Sequence, residues 1–383
     1  MIKYIALCTL LAYAAHAASF TQYKLQTQKK FQQEKSKFQT YKSAQQRAFY
    51  NYLKELQKHW KKPILSTQKV FVTYTKDKKS RTLIDFKNNT LKIQTIANHK
   101  KNAEQKLAVA LAKAVTFNAK DFYTDDELQQ RLKKIEQENG LVSDNIDNTP
   151  VLAPVIFNQK PTKEKLFKYV KKTLHNNTIS KTKGREENIY TLNIQLPNDA
   201  TLKRSRIYYE DVKREAQSQK IPLSLIFAII HSESSFNPMA RSYIPAYGLM
   251  QIVPKTAGID AYYYLYKQKR LLGSSYLYNA KNNIKMGSAY LHILYYSYLK
   301  DIKNPQSRLY CTIAAYNTGA GNVARAFVGT NNRYKAAQQI NRLTPKEVYN
   351  QLLSDLRYKE SKRYLVKVKR RMEIYKKLYK RES

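Results

Sequence analysis

Apolar positions along the chain change period several times, and each change marks a different element. Phe31, Phe38, Tyr41, Phe49, Tyr52, Leu56 and Trp60 recur at intervals of threes, fours and sevens within a Gln/Lys-rich tract. That spacing puts them on one stripe of a long helix. A basic amphipathic helix is therefore expected over 18–62, ended by Pro63, with its stripe packed on the rest of the protein. From residue 70 the period falls to two. Residues 70–74, 82–86 and 90–96 alternate, and the polar turns between them make an antiparallel meander. Helical spacing returns over 101–118 (Leu107, Val109, Leu111, Ala114, Val115), over 124–138 and over 163–174. The tract 139–160, with Gly140, Pro150 and Pro154, reads as a loop. Residues 190–196 alternate again and join the same sheet, and Pro197-Asn198-Asp199 closes the unit. Beyond about 201 the pattern is almost wholly helical. Thr344-Pro345-Lys346-Glu347 opens one helix with a capping box and proline at the first position. A last helix from about 360 carries Tyr364, Val368, Met372 and Tyr375 on one side. The fold class is thus α+β, mostly α. An N-terminal α/β domain with a small antiparallel sheet spans 63–198, and an all-helical domain spans 199–383.

The first residues add a destination. Lys3 precedes an apolar run over 4–15, and Ala15-His16-Ala17 offers small residues at a cleavage site. The run fits the ~7–15 residues of a signal-peptide core and falls short of the ~20 needed to cross a bilayer. A cleaved signal peptide over 1–17 and a periplasmic location are expected. A lipidated Cys8, giving outer-membrane association, is the weaker reading because bulky Leu7 precedes it. After cleavage Cys311 is the sole cysteine, so no internal disulfide is expected. Its apolar helical surroundings make it a buried small hydrophobe rather than a nucleophile.

Charge alters the picture more than size does. Lys and Arg number 69 against 28 Asp and Glu, a net charge of +41, and a field of that sign attracts polyanions. Lys, Asn and Tyr (32 of the last) are abundant throughout, so a chain-wide compositional bias explains the charge equally well. The six His show no ligand spacing, so neither a metal nor another cofactor is expected.

The chemistry concentrates after Pro222. Leu225, Ile226, Ile229 and Ile230 form the buried stripe of a helix, and Glu233 continues that face just before the breaker Phe236-Asn237-Pro238. A carboxyl group facing inward at the end of an apolar helix should have a raised pKa, as a general acid near neutrality requires. A glutamate satisfied by an arginine or a backbone amide is the alternative. Further on, Tyr247-Gly248-Leu249-Met250-Gln251 turns at its glycine and presents an amide. Asn283-Ile284-Lys285-Met286-Gly287-Ser288-Ala289-Tyr290-Leu291 enters a helix, and Ala315-Tyr316-Asn317-Thr318-Gly319 ends one.

Glu233-Ser234, Gly248-Leu249-Met250-Gln251, the Asn283–Leu291 block and Ala315–Gly319 together resemble the family 1 lytic transglycosylases (SLT domain), in that family's order and spacing. The match extends to Glu360-Ser361-Lys362-Arg363-Tyr364, with Ser361 where the family usually has Thr. The wider run from Ile229 to Gly248 is similar to the membrane-bound subgroup that carries an extra N-terminal α/β domain. The resemblance covers 201–383 by motif and 60–198 by architecture.

The resemblance implies a lysozyme-like catalytic fold and non-hydrolytic cleavage of peptidoglycan between N-acetylmuramic acid and N-acetylglucosamine, leaving 1,6-anhydromuramoyl ends. It implies Glu233 as the catalytic acid and base. Ser242 and Gln251 would contact the N-acetyl group, Met250 would line the sugar cleft and Asn317 would touch substrate. Tyr316 and Tyr364 would orient Glu233. Ser234 reads as a helix-end hydrogen-bonding group, and His231 and Arg241 as packing residues. Glycosidases ordinarily need two carboxylates, and Asp260 falls outside the motifs, so the substrate's own N-acetyl oxygen would replace the second. Two other readings stay open: a goose-type lysozyme-like hydrolase, and a noncatalytic binder of anionic cell-wall polymers. Partners are glycan strands rather than nucleic acid, with cell-wall synthesis or division proteins and peripheral membrane contact left open.

Overall fold

The computed structural model describes residues 22, 25–26, 39–242 and 245–379. The expected signal peptide, Cys8, Phe31 and Phe38 lie outside the described residues. Helix α1 runs over 39–57 and buries Tyr41, Gln45, Tyr52 and Leu56. It ends six residues before Pro63, where bonds from Lys58 N to Glu55 O and from His59 N to Leu56 O tighten its last turn. Trp60 therefore buries itself from the connecting segment rather than from the helix, and its indole donates to the Lys78 carbonyl at 2.7 Å.

Five strands follow: β1 (Val70–Tyr74), β2 (Ser80–Asp85), β3 (Thr90–Ala97), β4 (Ser180–Lys183) and β5 (Asn188–Gln195). They form one antiparallel sheet in the order β1-β2-β3-β5-β4. Strand β4 is an addition to the expected set; every residue in it is exposed, so it has no apolar alternation to betray it. Between β3 and β4 lie α2 (Lys100–Thr116), α3 (Ala119–Asp125), α4 (Glu127–Glu138), α5 (Ala153–Ile156) and α6 (Lys163–Asn176). The helix expected over 124–138 starts instead at Glu127, because Asp126 turns extended and caps α4 by accepting from Gln129 N at 2.9 Å.

The remainder is helical: α7 (Ala200–Ile207), α8 (Tyr209–Gln219), α9 (Leu223–Glu233), α10 (Ile259–Tyr266), α11 (Ser274–Tyr278) and α12 (Ala280–Ile293). Then come α13 (Pro305–Thr318), α14 (Ala320–Val328), α15 (Arg333–Ile340), α16 (Pro345–Asp355) and α17 (Lys359–Tyr379). Short π-helical turns at Pro254–Gly258 and Leu294–Tyr298 lead into α10 and out of α12. The architecture is α+β and mostly helical, with the sheet confined to the N-terminal half.

One face of the sheet carries the cross-strand row Phe71, Ile84, Leu91 and Ile194. These residues share a single buried apolar cluster with Leu225, Ile229, Ile284 and Leu365 of the helical half. Arg204 on α7, 1% exposed, locks the two halves by donating to the Phe86 carbonyl and Asn89 Oδ1 at 2.8 and 2.9 Å. The other face, through Val72 and Tyr74, packs under Tyr52, Leu56 and Trp60, with Leu128 and Leu132 of α4. Helix α17 lies along α9, with Phe227 and Tyr375 stacked at 5.3 Å. Cys311 is buried in α13, and burial pushes its thiol pKa up.

Candidate active site

Pro222 opens α9, and Leu225, Ile226, Ile229 and Ile230 are fully buried along it. Glu233 is its last residue. The helix stops there because Ser234 Oγ donates to the Ile230 carbonyl at 3.0 Å and accepts from Phe236 N at 3.1 Å. Ser235 and Phe236 are thereby held at φ 54° and 65°, a left-handed conformation that side chains with a Cβ enter at a cost. Backbone strain of this kind tends to gather at functional sites.

Burial raises the Glu233 pKa from 4.5 to about 7, against opposing effects from Tyr364, Lys367 and Lys69. The Tyr364 phenol is buried and, among the described residues, meets no partner at full hydrogen-bond geometry, yet its hydroxyl reaches Glu233 closely enough to favour the carboxylate as a hydrogen-bond donor would. Tyr316, half-buried, donates to the Met250 carbonyl at 2.9 Å. Its hydroxyl is thus committed to the turn, and it acts on Glu233 electrostatically rather than through a direct bond.

That turn is built around Gly248, at φ 75°. A Cβ there would lie 2.3 Å from both Asn283 Nδ2 and the Leu277 carbonyl. Asn283, fully buried, accepts from Met250 N at 2.7 Å and donates to the Tyr247 and Leu277 carbonyls, both at 2.8 Å. Met250 is fully buried, with its side chain packed against Gly287. Gln251, at φ 52°, donates through Nε2 to the Ala240 and Gly248 carbonyls, at 3.1 and 3.0 Å. Its Oε1 is buried and has no hydrogen-bond partner among the described residues. Ser242 Oγ accepts from Ala246 N at 3.2 Å. Asn317 Oδ1 accepts from the buried Ser361 hydroxyl at 2.7 Å, so serine at that position fixes the amide.

Two residues that flank Glu233 in sequence belong to the scaffold. His231 Nδ1 meets the Tyr375 hydroxyl at 3.0 Å, and burial lowers its pKa to about 3, leaving it neutral. Arg241 is buried with its guanidinium 4.0 Å from the Phe49 ring centre and 5.3 Å from that of Tyr247. Asp260 accepts from Tyr298 at 2.9 Å.

Residues 210–339 match the model of the transglycosylase SLT domain. The membrane-bound lytic murein transglycosylase C of Salmonella arizonae is 34% identical over 319 residues, which cover 82% of this chain and 84% of that protein. The protein of the same name from Photorhabdus laumondii is 35% identical, covering 80% of this chain and 82% of its own. The chain belongs to the membrane-bound lytic murein transglycosylase C family. A solved structure, the 70 kDa soluble lytic transglycosylase of Escherichia coli, is similar at 27% identity over 45% of this chain and 24% of its own, with a TM-score of 0.35. Among the described residues of this transglycosylase C relative, no helix is long and apolar enough to cross a membrane.

Sequence reasoning missed several residues that build this lytic transglycosylase-family site. Asn283 was visible only as part of a motif, and its role as a clamp on the turn depends on a helix 33 residues away in sequence from Met250. Lys69, at the start of the sheet, donates through Nζ to the Ser232 carbonyl at 2.8 Å. Arg371 on α17 donates to the Ser232 hydroxyl at 2.9 Å. A lysine before a strand carries no local signal of such a contact. Arg371 offered one faint sign, standing one helical turn before Tyr375 on the expected last helix.

Proposed function

We propose that the chain cleaves the β-1,4 bond between N-acetylmuramic acid and N-acetylglucosamine in peptidoglycan, without water, in the periplasm after signal-peptide removal. The observation that carries this reading is the position of Glu233. It ends a buried helix with a pKa raised to about 7, so one carboxyl group is available both as acid and as base near neutral pH. Protonated Glu233 donates to the glycosidic oxygen. The neighbouring N-acetyl oxygen then attacks the electron-poor anomeric carbon, and the leaving sugar departs with the proton. Deprotonated Glu233 next removes the proton of the muramoyl 6-hydroxyl, whose oxygen closes onto the anomeric carbon and releases the N-acetyl group.

Gln251 supports the first step. Its amide nitrogen is spent on two carbonyls while Oε1 is left buried and, among the described residues, unpartnered, and an acceptor of that kind suits the N–H of an N-acetyl group. Ser242 lies in the same turn region, Asn317 is held by Ser361 at the mouth of α13, and Tyr364 adjusts the charge on Glu233. The goose-type hydrolytic reading has one observation in its favour. Exposed Glu360 acts electrostatically on Glu233 and is a second carboxylate that could activate water.

Glu233→Gln tests the assignment. Turnover of purified sacculi is expected to fall by ~10²–10⁴ or more while glycan binding and the melting profile persist. Near wild-type digestion by the variant would end the assignment.

A further inference from the structure

Lys69 comes from the N-terminal half and Arg371 from the last helix, yet both converge on Ser232, the residue before Glu233, at 2.8 and 2.9 Å. Lys367 stands one turn before Arg371, its Nζ 5.6 Å from the centre of the Tyr364 ring. Exposed Lys87 adds to the same field. The three inner cations are half-buried, and among the described residues none makes an ion pair with a carboxylate. Burial and mutual repulsion lower the proton affinity of Lys69 and Lys367. Among the described residues, Glu233 and exposed Glu360 are the carboxylates that act most strongly on this cluster. Like charges held together in a partly desolvated site are unfavourable until an anion enters.

We propose that Lys69, Lys367 and Arg371 form a subsite for a carboxylate of the muramoyl side chain; the proposal rests on the glycan-cleaving reading. The sugar whose bond Glu233 protonates bears a lactyl ether, which ends either in its own carboxylate or in a peptide that carries several. A guanidinium flanked by ammonium groups suits such a ligand. The N-terminal half thus supplies a substrate contact through Lys69, beyond its support of the helical half.

The test uses the full chain in a Glu233→Gln background, where strands bind without being cut. Dissociation constants are measured for soluble glycan strands, peptide-bearing or peptide-stripped, each with native or amidated carboxyl groups. Lys69→Met and Lys367→Met are each expected to weaken binding of native strands about tenfold, on the scale of one charge-assisted contact. Lys69→Arg should stay within about twofold, and amidated strands should lose nothing further from either Met change. Loss on peptide-bearing strands alone identifies the peptide carboxylates, and loss on stripped strands identifies the lactyl group. If Lys69→Met fails to fold, Lys367→Met carries the test, because Lys367 lies off the Ser232 contacts. Equal losses on native and amidated strands, or none on native strands, overturn the subsite. A parent that binds no strand at all overturns the glycan reading with it.

Discussion

A Cβ built on Gly287 would stand 2.3 Å from the Sδ of Met250. Helix α12 and the 247–251 turn are therefore seated on each other with no room for a methyl group. Gly287→Ala is expected to destabilise the protein by about 1–3 kcal/mol through overpacking. It should also lower activity, because the displaced turn carries Gln251. Urea unfolding of Gly287→Ala, Met250→Ala and the double variant checks this. The double variant should cost less than the two single changes combined; simple additivity would mean that the two residues are not in this contact.

Glu233 makes stability depend on pH in a direction that can be worked out. Its folded pKa, about 7, lies above the ordinary 4.5. Between those values the folded state binds more protons than the unfolded state, so stability falls as pH rises and the loss is complete above about 7. At 1.36 kcal/mol per unit the loss approaches ~3 kcal/mol. Glu233→Gln should match wild type near pH 4 and be more stable at pH 8. Equal melting temperatures at pH 8 would contradict the raised pKa of the carboxyl group.

The expected domain boundary near residue 198 leads to a third expectation. All the motifs lie beyond it, so a 199–383 fragment should be soluble, helical and weakly active. It should melt below the full chain, since excision strips Arg204 of Phe86 and Asn89 and opens the shared core. Circular dichroism decides, and an unfolded fragment would reject the boundary.

Much of the fold was legible because burial imposes period on sequence. Ile229, Ile230 and Glu233 lie on one helical face, and that alone pointed to an inward carboxyl group. Strand β4 escaped because Ser180–Lys183 is fully exposed and pairs only through its backbone with β5. The break between α3 and α4 escaped because Asp126 caps through local backbone geometry that leaves the apolar spacing intact. The family resemblance implied that Met250 lines the sugar cleft. Its partner Gly287 is 37 positions on, and only the packing of α12 reveals that the side chain points into the core. Lys69 reaches Ser232 across 163 residues of sequence, a contact that no local pattern encodes.

The net charge of +41 gives a fourth expectation. Peptidoglycan bears peptide carboxylates, so binding to sacculi should weaken strongly at 1 M salt, where the Debye length is ~3 Å. Co-sedimentation across a salt series measures it. Binding that is indifferent to salt would leave the charge as compositional bias.

The chemical form of the released glycan ends separates the two routes. If Glu233 serves as both acid and base, as proposed, the muramoyl 6-hydroxyl is expected to be the nucleophile that closes onto the anomeric carbon. Such an intramolecular closure has an effective molarity that can reach ~10⁵ M or more. Were exposed Glu360 to activate water instead, the same cut would leave a hydrolytic end. Mass spectrometry of fragments released from purified sacculi distinguishes the two. 1,6-Anhydromuramoyl ends, lighter by one water and without reducing power, are expected. Reducing muramic acid ends would make the protein a hydrolase and contradict the proposed reaction.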